Sequence, residues 1–366
     1  VKKEYSIDSP TSVFLKHISI LYDVYIKTER EYMNIAINGF GRIGKNFLRV
    51  LIEKKAYKDL NIVALNIGPA DKKTVAYALK YDTILGTLDK DVSYENGYLI
   101  CDNIKIKLLA VMDPADAHWG DLDIDWVVEC SGQFTTREKA LKHIESGAKK
   151  VLISAPSKGA DVTIIPGVND DNFDKKTDNL VSLGSCTTNN IVPMLHVLEK
   201  KFTIKHASVT TIHAYTNSQE LLDNASSYDK IRRSRAAAMN MIPTTTGAGT
   251  VADQIIPTLK GKLFAKSVRV PVANVSLVDL VISTEKEVTA ESINKAFVDA
   301  QNSYLKSVLC VENEPLVSSD YMQNDHSVVI DSLLTEAHGT HAKIWGWYDN
   351  EWGYSVRLKD FLVKNI

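Results

Sequence analysis

The 366-residue sequence predicts an α/β chain of two domains, and three observations carry that prediction. A short apolar strand, Asn34-Ile35-Ala36-Ile37-Asn38, enters a turn with Gly39, Gly41 and Gly44, and a helical run with Phe47, Leu48, Val50 and Leu51 follows. Strand-like and helix-like runs then alternate up to Leu183, which calls for a parallel sheet with helices on both faces. Beyond His213 long strands dominate, the pattern of a mixed or antiparallel sheet.

Taken in order, residues 1–32 are unlike the rest. Their apolar stretch is broken by Lys16, His17 and Asp23, so it is too polar to span a bilayer. It reads as an N-terminal extension outside the fold. In the glycine turn, Gly39 allows the bend, Gly41 lets a pyrophosphate approach the backbone, and Gly44 lets helix and strand pack closely. The pyrophosphate then rests on the helix N-terminus. The second strand, 61–66, precedes a helix at 71–80. A dinucleotide-binding unit usually has an acid after this strand for the adenosine ribose; here Ile67, Gly68 and Pro69 stand instead. Further strands are expected at 92–94, 98–100, 104–108, 125–130, 150–156 and 179–183, with a helix at 136–146. The stretch 217–241 is too long for an ordinary connection and reads as a functional or interface loop. Strands at 266–274, 276–284, 327–332 and 341–347, and helices at 290–301 and 350–364, complete the chain.

Composition narrows the function. The formal net charge is −2, which argues against a nucleic-acid surface as the main business. Cys101, Cys130, Cys186 and Cys310 are widely spaced with no CxxC pair, which fits a reducing compartment and no zinc site.

The chemistry centres on Ser185-Cys186-Thr187-Thr188. An apolar periodic run follows, so a helix starts near Cys186 and its thiol meets the free N–H groups there. The strand-like run 206–213 places Val209, Thr211 and His213 on one face. A helix dipole contributes about 0.3–2 kcal/mol to a thiolate. An imidazolium about 4 Å away contributes up to ~4 kcal/mol at an effective dielectric near 20. His213 is therefore the stronger expected activator.

With these pieces in place the sequence resembles the phosphorylating glyceraldehyde-3-phosphate dehydrogenase family. The likeness runs from Met33 to Ile366 and rests on Ile37-Asn38-Gly39-Phe40-Gly41-Arg42-Ile43-Gly44, Ser185-Cys186-Thr187-Thr188-Asn189, His213-Ala214-Tyr215-Thr216, Pro243-Thr244-Thr245-Thr246-Gly247-Ala248, Val268-Arg269-Val270-Pro271 and Trp347-Tyr348-Asp349-Asn350-Glu351-Trp352-Gly353-Tyr354. The resemblance implies a Rossmann domain over 33–184, to which the C-terminal helix in 350–366 returns, and a catalytic domain over 185–349. It implies a cytoplasmic homotetramer with the 217–241 loop at the subunit interface. It makes Cys186 the nucleophile and His213 its base. It places one phosphate near Thr216 and Arg269, and a second near Ser185, Thr187, Arg233, Thr246 and Gly247. It assigns the cofactor to Asn38, Gly39, Gly41, Arg42, Ile43, Gly44, Ile67, Ser154, Asn217, Ser226, Asn350 and Tyr354. No metal is implied.

Two departures from the family pattern concern the cofactor. Ile67 stands where NAD-preferring members have an aspartate, and Ala225-Ser226 resembles the loop pair of NADP-using members. Against them, Met112 replaces an arginine that helps bind the 2′-phosphate, with Lys72 and Lys73 the remaining candidate cations. The balance predicts a modest NADP preference with residual NAD use. Asn190 replaces a second cysteine, and Ser218 an acid or small polar residue. Erythrose-4-phosphate dehydrogenase is the alternative activity, separated by the phosphate dependence of turnover. A non-catalytic dinucleotide sensor would be separated by an aldehyde-oxidation assay.

Overall fold

The computed structural model describes residues 32–366, so the expected extension falls outside it except for Tyr32. The first sheet contains β1 (Met33–Asn38), β2 (Leu60–Asn66), β3 (Val92–Glu95), β4 (Tyr98–Cys101), β5 (Ile104–Leu109), β6 (Trp126–Glu129), β7 (Lys150–Ile153), β8 (Val162–Thr163) and β9 (Leu180–Ser182). Their order is β8-β9-β7-β6-β1-β2-β5-β4-β3. Pairing is parallel from β8 to β5 and antiparallel only at the β3–β4–β5 edge. Helices α1 (Arg42–Glu53), α2 (Lys72–Lys80) and α3 (Arg137–Glu145) connect these strands. Every residue of β1 is buried, as expected for a parallel strand covered on both faces. From β1 the chain builds outward through β2, then returns to lay β6 on the other side of β1. The crevice at the C-terminal ends of β1 and β6 is thus the topological switch point, where open α/β sheets take ligands.

Helix α4 (Cys186–Phe202) leads into the second sheet. This holds β10 (Ile204–Ala214), β11 (Ile242–Thr244), β12 (Leu263–Val270), β13 (Ser276–Thr284), β14 (Leu309–Glu312), β15 (Val328–Asp331), β16 (Glu336–His338) and β17 (His341–Tyr348), in the order β11-β12-β10-β13-β17-β15-β14 with β16 on β17. The sheet is mixed: β10 runs parallel to β12 and antiparallel to β13. Helices α4, α5 (Ala248–Ile255) and α6 (Ala290–Gln301) share one core with its inner face. Helix α7 (Trp352–Lys364) returns to the first sheet, where Tyr354, Leu358 and Phe361 join the core around Ile35 and Ile37.

The second sheet also holds strands beyond those expected, Ile242–Thr244, Leu309–Glu312 and Glu336–His338, and one expected extent shifts. The strand expected at 266–274 runs Leu263–Val270, because Pro271 has no N–H for the ladder. Helix α5 was not anticipated, since Gly249 and Thr250 weaken its helical signal. The loop between β10 and β11 holds only two short 3-10 turns, Tyr228–Lys230 and Ala237–Met239. Among the described residues no helix is long and apolar enough to cross a membrane.

Candidate active site

Cys186 is the first residue of α4, and Ser185 is its N-cap. The Ser185 hydroxyl accepts from Thr188 N–H at 3.2 Å, and Thr188 Oγ1 accepts from Ser185 N–H at 2.5 Å. This reciprocal cap leaves Cys186 at the positive end of the helix. The loop before it is braced too. Asn189 Nδ2 donates to Leu183 O at 2.7 Å, and the buried Tyr354 hydroxyl donates to Gly184 O at 3.0 Å. Tyr354 thereby ties α7 to the cysteine loop.

Strand alternation turns Val209, Thr211 and His213 inward together. It brings His213 Nε2 to 3.5 Å from Cys186 Sγ. His213 Nδ1 lies 2.6 Å from Ala214 O, an acceptor; when Nδ1 carries the proton toward that carbonyl, Nε2 is the nitrogen that can take one from the thiol. Arg269 pairs in register with His213 across β12 and β10. Its Nη1 lies 2.9 Å from His213 Nδ1, 3.1 Å from Ala214 O and 3.5 Å from Thr216 Oγ1.

Arg269 changes the electrostatics expected from sequence. Burial, with Arg269 adding to it, drives the His213 imidazole down to about 3. Burial lifts the Cys186 thiol above its ordinary value, and Arg269 is the largest influence pulling it back. At 3.5 Å the two opposite charges attract by about 5 kcal/mol at an effective dielectric near 20. Each charge is disfavoured alone, so thiol and imidazole exchange their proton as a unit. Beside the helix dipole and the imidazole, this third charge favours the thiolate and opposes the imidazolium.

Arg233 donates through Nε to Thr244 Oγ1 at 2.9 Å and through Nη2 to Thr245 O at 3.4 Å. Its charge also acts on His213 and Arg269. Thr246 and Gly247 follow on the same segment and lead into α5, with Thr246 Oγ1 accepting from Ala248 N–H at 3.2 Å. Thr187 Oγ1 lies 3.1 Å from the Tyr348 hydroxyl, which also lies 2.8 Å from Thr211 Oγ1. The Tyr348 ring stands edge-on to His213, with centroids 5.9 Å apart. Sequence reasoning gave Tyr348 no role. The available signal was alternation in β17, where Ala342, Ile344, Gly346 and Tyr348 face inward.

At the switch point a hollow of about 190 Å³ is lined by Asn38, Gly39, Gly41, Asn66, Ile67, Met112, Ser131 and neighbours. Gly39 has φ +102°, and a Cβ there would lie 2.6 Å from Ser131 N. A Cβ on Gly44 would lie 2.0 Å from Gly39 O, so only glycine permits this packing. Gly41 precedes α1 without a side-chain cap, and a Cβ there would meet nothing within 4 Å. The first-turn N–H groups of α1 are thus open to an anion, which fits a dinucleotide pyrophosphate. None of the lining side chains is charged.

The other cofactor positions divide. Ile43 packs partly against the core. Ser154 Oγ donates to Glu129 O at 2.7 Å, and Asn350 Oδ1 accepts from Ser276 Oγ at 2.9 Å. The Arg42 side chain, expected along the cofactor, is held by Glu351 at 2.5 Å and Asp82 at 2.5 Å. Two carboxylates outcompete an uncharged hollow for a guanidinium. Asn217 and Ser226 are exposed on the long loop and do not line the hollow.

Residues 33–137 match the family model described as the NAD binding domain of glyceraldehyde 3-phosphate dehydrogenase, and residues 185–350 match that of its C-terminal domain. The chain belongs to the glyceraldehyde-3-phosphate dehydrogenase family. It is 47% identical over 332 residues to glyceraldehyde-3-phosphate dehydrogenase 2 of Streptomyces avermitilis, covering 90% of this chain and 98% of that one. It is 46% identical to glyceraldehyde-3-phosphate dehydrogenase 2 of Bacillus subtilis, covering 91% and 96%, and 46% identical to the Geobacillus stearothermophilus enzyme, covering 90% and 96%. As a glyceraldehyde-3-phosphate dehydrogenase family member it is an NAD-dependent oxidoreductase. Asn190, in place of the second cysteine, donates to Gly346 O at 3.2 Å and so ties α4 to β17.

Proposed function

We propose that this chain oxidises D-glyceraldehyde 3-phosphate to 1,3-bisphosphoglycerate with inorganic phosphate, and that Cys186 and His213 carry the chemistry. The supporting observation is the Cys186 Sγ to His213 Nε2 approach of 3.5 Å at a capped helix start. His213 takes the thiol proton as the sulfur adds to the aldehyde carbon, giving a thiohemiacetal on Cys186. The Cys186 backbone N–H and His213 donate to its oxygen. A dinucleotide held at Asn38, Gly39, Gly41 and the start of α1 would supply the acceptor for this carbon's hydride, and loss of that hydride leaves a thioester on Cys186. A phosphate oxygen then attacks the thioester carbon, and the sulfur leaves as thiolate. Arg269 with Thr216, and Arg233 with Ser185, Thr187, Thr246 and Gly247, hold the substrate phosphate and the attacking phosphate.

Initial rates with glyceraldehyde 3-phosphate, each cofactor, and phosphate present or absent test this reading. Turnover that does not depend on phosphate would sink it. An erythrose 4-phosphate substrate has no support from the relatives compared, whose names specify glyceraldehyde 3-phosphate. The cofactor reading is a modest NADP preference, about 1–2 kcal/mol or roughly five- to thirtyfold in kcat/KM. It is supported by Ile67 in place of an acid and kept small by the absence of lysine or arginine from the hollow's lining. The assembly reading is a cytoplasmic homotetramer, supported by exposed Leu221, Leu222, Tyr228, Met239 and Met241 on or beside the long loop. Light scattering would test it.

A further inference from the structure

Glu129 ends β6 at the switch point and is 1% exposed. Its carboxylate lies behind the hollow, and each oxygen serves one wall. Oε1 accepts from Ser131 N–H at 2.7 Å, Ser131 Oγ–H at 2.5 Å and Gly132 N–H at 3.1 Å. Oε2 accepts from Asn38 Nδ2 at 2.5 Å and faces His143 Nε2 at 3.2 Å. Trp119 Nε1, which can only donate, reaches His143 Nδ1 at 3.1 Å. His143 is therefore protonated on Nε2 and donates to Glu129. The chain of bonds continues through Asn38, whose Oδ1 accepts from Asn66 Nδ2 at 2.7 Å. Asn66 Oδ1 in turn accepts from Val111 N–H at 3.0 Å and Gly68 N–H at 3.3 Å. The network thus joins the C-terminal ends of β6, β1, β2 and β5.

We propose that Glu129 is the positioning residue of the NAD site, fixing Asn38 and Ser131 on its two walls and, through Asn38, Asn66 at the end of β2. The proposal rests on the reading of this hollow as the NAD site. All five groups around the carboxylate are placed to donate to it, and two acceptor oxygens satisfy them where a carboxamide offers only one. Glutamine at 129 sets an NH₂ against a donor on one wall or the other. If it faces Asn38, that amide turns over, and its nitrogen then opposes Asn66 Nδ2. A wall shifts in either case. The residue acts on cofactor binding and leaves the Cys186–His213 chemistry, in the other sheet's domain, untouched.

The test compares wild type with Glu129→Gln by equilibrium NAD titration of tryptophan fluorescence and by initial rates. The expected result is an NAD Kd and KM raised about tenfold or more, from one mismatched buried donor. At saturating NAD, kcat and the KM for glyceraldehyde 3-phosphate should stay within about twofold, a split that general structural damage does not give. Asn38→Ala should cost less in the Glu129→Gln background than in wild type, since the two act in series. An NAD Kd within about twofold of wild type in the folded variant overturns the proposal, and so does a fall in kcat with KM unchanged. If Glu129→Gln does not fold, Ser131→Ala removes one donor to Oε1 and should weaken NAD binding about threefold; an unchanged Kd again overturns the proposal. Wild type that binds no NAD would instead overturn the reading of the hollow.

Discussion

The catalytic pocket and the dinucleotide hollow handle charge in opposite ways. Arg269 lies against His213 and the charge of Arg233 also reaches it, which suits the two phosphates of the proposed reaction. The hollow shows no charged side chain on its lining, and Glu129 sits behind it, matched entirely by donors. A reacting site needs charges that act on the reaction. A site that recognises by backbone N–H groups needs fixed geometry, and there a buried charge serves as an anchor. The same contrast appears in the cysteines. Burial raises the thiols of Cys101, to about 11, and Cys130, while Cys186 alone has Arg269 pulling its thiol back down.

Four substitutions would break or sharpen this contrast. The largest effect is expected for Cys186→Ser, which should lower turnover by about three orders of magnitude or more. Iodoacetate should label Cys186 in preference to Cys101, Cys130 or Cys310, and a peptide map reads this out. Label mainly elsewhere, with Cys186→Ser still active, would place the chemistry in another pocket.

Arg269→Ala comes next. Loss of a charge-assisted pair is worth about 1.5–3 kcal/mol, so the KM for glyceraldehyde 3-phosphate should rise roughly ten- to hundredfold. Unphosphorylated glyceraldehyde should be affected far less. Equal effects on both substrates would make the arginine structural. Because Arg269 lowers the Cys186 thiol and also opposes protonation of His213, both groups should titrate higher in this variant.

His213→Asn should slow alkylation of Cys186 near pH 7 by about an order of magnitude, because burial holds the thiol above its ordinary value and no imidazole is left to take its proton. The measurement is the alkylation rate from pH 5 to 9. An unchanged profile would leave the helix start and Arg269 as the activators.

The smallest change is expected in the hollow. Ile67→Asp restores an acid to an uncharged lining and should move the NAD to NADP ratio of kcat/KM toward NAD by about fivefold, or ~1 kcal/mol. Wild type preferring NAD tenfold or more would show that Ile67 is a tolerated loss.

Much of the molecule could be read before any contact was known. The glycine turn, Cys186 at a helix start and His213 on an inward strand face follow from short-range rules, because turns, caps and strand alternation act within a few residues. Helix Ala290–Gln301 was placed to the residue for the same reason. Helix α5 was hidden by local composition. Tyr348 lies 161 residues from Thr187 and 137 from Thr211, and no spacing rule links such positions.

By itself, then, the sequence determined where strands and helices begin and which residue types could do the chemistry, since backbone geometry and side-chain identity are local. Only the tertiary structure decided the electrostatics. Register between β10 and β12 set Arg269 against His213 and so added a third charge to the thiol–imidazole pair. Parallel packing of β1 beside β6 set Glu129 against Asn38, 91 positions away, and packing of α7 on α1 drew Arg42 to Glu351, 309 positions away. Charges act through space and their strength depends on burial, and both quantities exist only once the chain has folded.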